Sequence, residues 1–332
     1  MKVFLTHSDE VFAGYFGDRA LAELERHAAV VRNRTGRVLR DAELAEAARG
    51  CQAVIAHRAT PGTAETFAAA PDLLAFLRCA VDISTIDVAA ASRHGVLVTR
   101  ATPGFTDSVA ELGLGMMIDL ARGISRSAAE YHAGGAAEPR MGRQLSGATL
   151  GLVGYGRIAR RLAQVAAVLG MQVVAYDPHM PPDGPGVRAA SLEETLGAAD
   201  FVVCLAAATP ETAGMMDAAA FARMRQGAFF LNLSRGELVD DDALGAALER
   251  GHLGGAALDV GRDPDQMPIS RLARRPDVLA TPHVGGLTRA ATEHQAMDTV
   301  RQVAALVRGD MPDGAVNPES ASRLPQGGVS QA

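Results

Sequence analysis

Residues 148–177 carry the feature that constrains this chain most. An apolar run, Ala148 to Val153, leads at once into Gly154-Tyr155-Gly156-Arg157-Ile158-Ala159, then into a helical pattern and a second apolar run, Val173 to Tyr176. A G-x-G-x-x-A turn that closes a strand and opens a helix is what a dinucleotide-binding βαβ unit requires. Gly154 permits the tight turn, Gly156 lets the backbone approach a pyrophosphate, and small Ala159 lets the helix pack near the strand. The first amides of the helix face the phosphates, where Arg157 can add a direct contact. Asp177 stands roughly 20 residues beyond Gly156, at the end of the second run. A carboxylate there accepts hydrogen bonds from ribose hydroxyls and repels a 2′-phosphate, which favours NAD over NADP. His179 and Arg188 keep NADP as the less favoured cofactor.

Around that unit the pattern continues. Apolar runs at 201–205, 228–233, 255–258 and 278–280 alternate with helical stretches, so six strands are expected in a doubly wound parallel sheet. The first hundred residues have the same rhythm, with strand-like runs at 3–5, 53–56, 73–77 and 96–98, and read as a smaller α/β domain. With 332 residues, two cores are the better expectation. The fold class is therefore α/β, with two Rossmann-like, doubly wound domains. A helical stretch at 291–307 returns to the first, giving a discontinuous domain of residues 1–99 and 289–332 around a dinucleotide-binding domain of residues 100–288. The helix expected from Asp107 to Ile124 is apolar nearly all round, as a buried or subunit-facing helix would be, and a homodimer is expected through it. The Pro- and Gly-rich tail beyond Pro312 is expected to be loose or to embrace a neighbour.

A net charge of −6 without a concentrated basic face argues against nucleic acid or an anionic membrane as partner. Cys51, Cys79 and Cys204 are widely spaced in apolar surroundings and read as small buried hydrophobes, not as disulfides or metal ligands. No metal site is expected. The N-terminal apolar run is too short for a signal peptide and no run is long enough to span a bilayer, so the cytoplasm is the expected compartment.

Three further segments follow the glycine turn: Asn232-Leu233-Ser234-Arg235-Gly236, then Ala257-Leu258-Asp259-Val260 leading to Pro264-Asp265-Gln266-Met267-Pro268, then Thr281-Pro282-His283-Val284-Gly285-Gly286. Each begins where an expected strand ends. In an open parallel sheet those ends line the ligand crevice, which brings Arg235, an acidic residue near 265 and His283 together.

With these segments, Gly104 through Glu111 and Thr209-Pro210-Glu211-Thr212, the chain resembles the D-isomer-specific 2-hydroxyacid dehydrogenase family, from about Cys79 to His283. The resemblance implies NAD-dependent hydride transfer at C2 of a small 2-hydroxy or 2-keto acid, on a flavodoxin-like substrate domain and a Rossmann NAD-binding domain. It also implies Arg235, Asp265 and His283 as catalytic residues. Arg235 can fork onto the substrate carboxylate and carbonyl oxygen, and His283 can exchange a proton with the C2 oxygen. A carboxylate on the other ring nitrogen of His283 would fix the ring and favour imidazolium. Ser234, Asp259 and Gly285 join Gly154, Tyr155, Gly156, Arg157, Ile158 and Asp177 as cofactor-binding positions, with Asp259 on the nicotinamide carboxamide.

The family pattern is broken twice. Its acidic partner is usually Glu, and here Asp265 matches best, with Asp263 as rival. The loop that holds a substrate carboxylate on backbone amides usually carries two glycines, which here are Ala80 and Asp82. An anionic side chain there repels a carboxylate unless it turns away or meets a cationic group, so Arg58, Val81 and Asp82 are the expected substrate-binding residues, with His57 beside them, for an unusual substrate. A non-catalytic NAD(H)-sensing or partner-binding homologue is the alternative.

Overall fold

The computed structural model describes residues 1–325. The chain forms two compact units, Met1–Gly104 with the chain from Thr288 onward, and Phe105–Leu287.

The first unit is built on five parallel strands: β1 (Lys2–Leu5), β2 (Ala29–Arg32), β3 (Ala53–Ala56), β4 (Ala75–Arg78) and β5 (Leu97–Arg100), in the spatial order 2-1-3-4-5. That is the flavodoxin-like order, whose switch point lies between β1 and β3. Strands β3 and β4 are buried at every position, as expected where helices cover both faces of a sheet. The sequence pattern missed β2, an edge strand whose Ala-Val-Val-Arg lies only partly buried and shows no alternation. The helix Arg289–Arg308 returns to this unit and places Ala296, Val300, Val303 and Leu306 in one core with Val3, Leu5, Ile55 and Leu77.

The expectation of a loose tail fails for residues 313–325. Val316 N–H donates to the Val98 carbonyl, and Arg100 N–H donates to that of Gly314. The buried Asn317 side chain receives Val98 N–H at 2.7 Å and donates to the Val96 carbonyl at 3.0 Å. Polar composition misled here because the tail binds the edge of β5 through backbone and amide groups rather than apolar side chains. The last seven residues of that tail lie outside the described residues.

The second unit holds seven parallel strands: β6 (Thr149–Val153), β7 (Gln172–Tyr176), β8 (Val187–Ala189), β9 (Phe201–Cys204), β10 (Phe229–Asn232), β11 (Gly255–Leu258) and β12 (Val278–Ala280). Their order, 12-11-10-9-6-7-8, reverses at β6, the strand that precedes the glycine turn. Six had been expected; β8 was missed because three residues with an exposed middle and end carry no apolar signal. The helix Thr106–Arg122 buries Val109, Ala110, Met116, Met117 and Ala121 in the core of this same unit, with Leu162, Leu231 and Leu233. Each buried Val, Leu or Met side chain here contributes about 1.5–3 kcal/mol. Much of the apolar surface that suggested a subunit contact is thus satisfied inside the unit. Gly113 brings the helix close, since a Cβ there would stand 2.7 Å from Leu233 Cδ1. Cys51, Cys79 and Cys204 are buried free thiols, and burial pushes Cys79 and Cys204 up to about 12. Among the described residues no helix is long and apolar enough to cross a membrane.

Candidate active site

The strand-turn-helix of the second unit lies where the strand order reverses, at the end of β6, the place at which an open parallel sheet leaves a crevice. Gly154 takes φ 91°, and a Cβ on it would meet Ala206 N at 2.5 Å, so the turn is pressed against the chain leaving β9. Gly156 is the opposite case: a Cβ there meets nothing within 4 Å. Open space in front of this glycine is what a pyrophosphate needs. The helix Arg157–Val168 starts on Gly156 with no side-chain cap, leaving its first amides for an anion, and Arg157 is exposed beside them. Ala159 is buried, and Ile158 packs on the core. Tyr155 as a whole is only 1% exposed, with Arg160 stacked over its ring and its N–H taken by Asp177, so its part is to shape the turn.

Asp177 ends β7. Its carboxylate accepts the N–H groups of Tyr155 (2.7 Å), His179 (2.8 Å) and Met180 (2.8 Å). Burial works against its charge, but the three backbone donors prevail and hold the carboxyl below its ordinary range. These residues fit a dinucleotide: open space at Gly156, uncapped amides, and an ionised acceptor at the end of β7.

Arg235 follows β10, Asp259 follows β11 and His283 follows β12, three adjacent strands of the sheet. Asn232 shapes the first loop by receiving Ser234 N–H and donating to the Arg235 carbonyl, and Ser234 Oγ donates to the Ala206 carbonyl. Arg235 is half-buried; it donates to the Ser234 carbonyl at 2.7 Å and, among the described residues, forms no ion pair. Asp259, 3% exposed, organises the third loop: it accepts Thr281 Oγ1–H (2.6 Å), Val284 N–H (2.8 Å) and Gly285 N–H (2.8 Å). The carboxylate expected on the nicotinamide carboxamide is therefore already engaged with the loop that carries His283.

Asp265 is the residue that meets His283, though not through its carboxylate. His283 Nδ1 lies 2.9 Å from the Asp265 main-chain oxygen, while the Asp265 side chain is exposed. The cause is local: Asp265 has φ 58° and ψ 23°, which turns the peptide toward the ring. The rival Asp263 accepts Ser270 N–H at 3.2 Å.

In the first unit, Arg58 follows β3 and is exposed, while Val81 and Asp82 lie on the loop after β4. The Asp82 carboxylate bends back on its own loop and accepts Ser84 N–H (3.0 Å) and Ser84 Oγ–H (2.8 Å). Two features escaped sequence reasoning. Arg78 is fully buried, donating to the His57 carbonyl at 2.6 Å and to Thr85 Oγ1 at 2.7 Å, and burial lowers it to about 10. His7 and His57 stand ring to ring at 5.2 Å, and burial holds both below the ordinary histidine range. Their position after β1 and β3 was the available signal; their burial was not written in any spacing.

A doubly wound sheet with this turn and this carboxylate defines a dinucleotide-binding unit of the Rossmann type. Comparison with known proteins makes the cofactor NAD: residues 114–285 match the model of the D-isomer specific 2-hydroxyacid dehydrogenase, NAD binding domain, and the chain belongs to that family. It is 38% identical over 304 residues to (S)-sulfolactate dehydrogenase of Chromohalobacter salexigens, covering 89% of this chain and 97% of that one. It is 36% identical over 271 residues to D-3-phosphoglycerate dehydrogenase of Mycobacterium bovis, covering 80% of this chain and 51% of that one, so it spans about half the length of that relative. Among solved structures, one described as a D-isomer specific 2-hydroxyacid dehydrogenase, NAD-binding, from a Polaromonas species matches with a TM-score of 0.85 and 27% identity, over 95% of this chain and 99% of that one.

Proposed function

We propose that this protein interconverts a small 2-hydroxy acid and its 2-keto acid, with Arg235 orienting the substrate and His283 exchanging the proton on the C2 oxygen. NAD, when bound, supplies the acceptor or donor of the hydride. The observation that carries the reading is the state of two groups at the ends of β10 and β12, the strands on either side of β11. Arg235 is a half-buried cation without a carboxylate partner, and His283 has Nδ1 engaged while Nε2 makes no hydrogen bond among the described residues. A permanent planar cation grips a carboxylate in two-point fashion and polarises the adjacent carbonyl. A ring whose far nitrogen is tied down presents the near one to a proton in flight.

Gly154, Gly156, Ile158 and the Tyr155 backbone would form the cofactor's phosphate turn, with Arg157 beside it, Asp177 at the ribose, and Ser234, Asp259 and Gly285 at the nicotinamide end. Arg58 and the backbone N–H groups of Val81 and Asp82 are assigned to the acidic end of the substrate. Since Asp82 is engaged with Ser84, a substrate amine is not needed to answer its charge. The exposed Arg58 favours a substrate with a second anionic group, the chemistry named in both sulfolactate and phosphoglycerate dehydrogenases.

The test is loss of NADH absorbance with glyoxylate, hydroxypyruvate, phenylpyruvate, 3-sulfopyruvate and 3-phosphohydroxypyruvate, with His283→Ala as control. Turnover fastest with a doubly anionic keto acid and abolished in the variant is expected; tight NADH binding without turnover of any keto acid would instead make the chain a sensor. We also propose a homodimer, resting on the exposed Ile124, Tyr131 and Met141 that follow the helix Thr106–Arg122. Light scattering of the parent chain and of a Tyr131→Asp, Met141→Asp variant tests it: a dimer that the variant converts to monomer is expected.

A further inference from the structure

Resting on the acid–base role of His283, we propose that this ring is oriented by the main-chain carbonyl of residue 265 and not by a carboxylate, which makes Asp265 a positioning residue through its backbone. A carbonyl oxygen can only accept. Facing Nδ1 at 2.9 Å, it requires a hydrogen on Nδ1 in both protonation states of the ring, so Nε2 is the atom that gains and loses the proton.

The carbonyl is aimed by two successive left-handed residues, Asp265 (φ 58°) and Gln266 (φ 59°). Asp tolerates that region because its short polar side chain bonds locally, whereas β-branched residues do not. The turn is clamped from within, by Gly261 N–H on the Gln266 carbonyl (2.8 Å) and Asp263 N–H on the Met267 carbonyl (3.0 Å). Gly261 makes the closure possible, since a Cβ there would stand 2.5 Å from the Met267 oxygen. From outside, Arg262 ties the turn to the chain following Arg235, donating to the carbonyls of Gly236 (3.3 Å) and Val239 (2.9 Å). Both nearby alternatives are committed, Asp259 to the loop of His283 and Asp263 to Ser270 N–H. The position therefore demands a backbone conformation first and a charge second.

The experiment compares Asp265→Asn, which keeps the conformation and removes the charge, with Asp265→Val, which resists φ above zero. Long-range proton–nitrogen NMR, with the His283 signals assigned by their loss in His283→Ala, reads which ring nitrogen carries hydrogen. The expected result is the Nδ1–H form of the neutral ring in the parent and in Asp265→Asn. In Asp265→Val kcat should fall about tenfold below that of Asp265→Asn while keto-acid KM and NADH affinity move far less. The pH midpoint of kcat should coincide in the parent and Asp265→Asn. An Nε2–H ring in the parent, or a midpoint displaced by about one unit in Asp265→Asn, would overturn the proposal, because a paired carboxylate would then be setting the charge of the ring. The NMR signal is read without turnover. A fully active His283→Ala would sink the acid–base role itself and leave the question of what holds the ring separately answered.

Discussion

Asp177 Oδ2 receives the Tyr155 amide hydrogen at 2.7 Å, so the carboxylate at the end of β7 is tied to the middle residue of the glycine turn at the end of β6. One side chain thus braces the phosphate turn and stands ready for a ribose. Asp177→Asn keeps an oxygen acceptor for Tyr155, gives up the acceptor of the His179 and Met180 N–H groups, and removes the charge that repels a 2′-phosphate. NADH affinity should fall about tenfold while NADPH affinity rises, narrowing the preference between them, which fluorescence titration with both cofactors would measure. An Asn variant that still ignores NADPH would show that the discrimination lies elsewhere.

The two glycines of the turn should fail in different ways when a methyl group is added. Gly154→Ala places a Cβ 2.5 Å from Ala206 N at a φ of 91°. Strain of this kind costs about 1–3 kcal/mol before the clash is counted, so the thermal midpoint of the chain without cofactor should drop. Gly156→Ala enters empty space at a φ of −75° and should leave that midpoint nearly unmoved while NADH affinity falls by tenfold or more, which calorimetry and titration together resolve. If both variants lost stability equally, the space in front of Gly156 would be structural and not a phosphate site.

Much of this molecule was legible in advance because buried parallel strands write themselves as apolar runs. Gly255–Leu258 and Val278–Ala280 fall where the sequence pattern places them, and Asp177 directly follows β7, the position its distance from the glycines indicates. The edge strands Ala29–Arg32 and Val187–Ala189 were not legible, since an edge needs fewer apolar contacts. Nor was the atom by which Asp265 meets His283: residue spacing says which residues approach, whereas a positive φ decides whether a side chain or a carbonyl arrives. Arg78 and His57 lie on this same limit, because burial of a polar group depends on three-dimensional neighbours that no local pattern encodes.

The buried histidines give the first unit an acid sensitivity with a definite sign. Burial lowers His57 from 6.5 to about 4, with Arg58 and Arg78 adding to the effect. Between those values the unfolded chain binds a proton that the folded chain refuses, so stability is lost as pH falls from about 6.5 toward 4. The difference corresponds to about 3 kcal/mol for this ring at the lower end. Urea midpoints across that interval should decline in the parent and decline less steeply in His57→Gln, which cannot take up the proton. Parallel slopes in the two proteins would assign the loss to other groups.

Asn317 tests whether the last described segment belongs to the fold of the first unit. Its amide receives Val98 N–H and donates to the Val96 carbonyl and to Ser92 Oγ (2.9 Å), three bonds in a place only 6% exposed. Asn317→Ala leaves the Val98 N–H and the Val96 carbonyl without these partners in the interior, and each such group costs about 1–3 kcal/mol. Asn317→Asp keeps the acceptor but brings a buried charge and loses both donors, so it should be at least as damaging. Neither change touches the second unit's glycine turn or Asp177, and NADH affinity should therefore survive at temperatures where the variants remain folded. A pair of unfolding curves monitored by circular dichroism, with NADH titrated in parallel, separates the outcomes. Loss of stability with intact NADH binding is expected. An Asn317→Ala chain as stable as the parent would mean that the segment merely lies against β5 and contributes nothing to holding it.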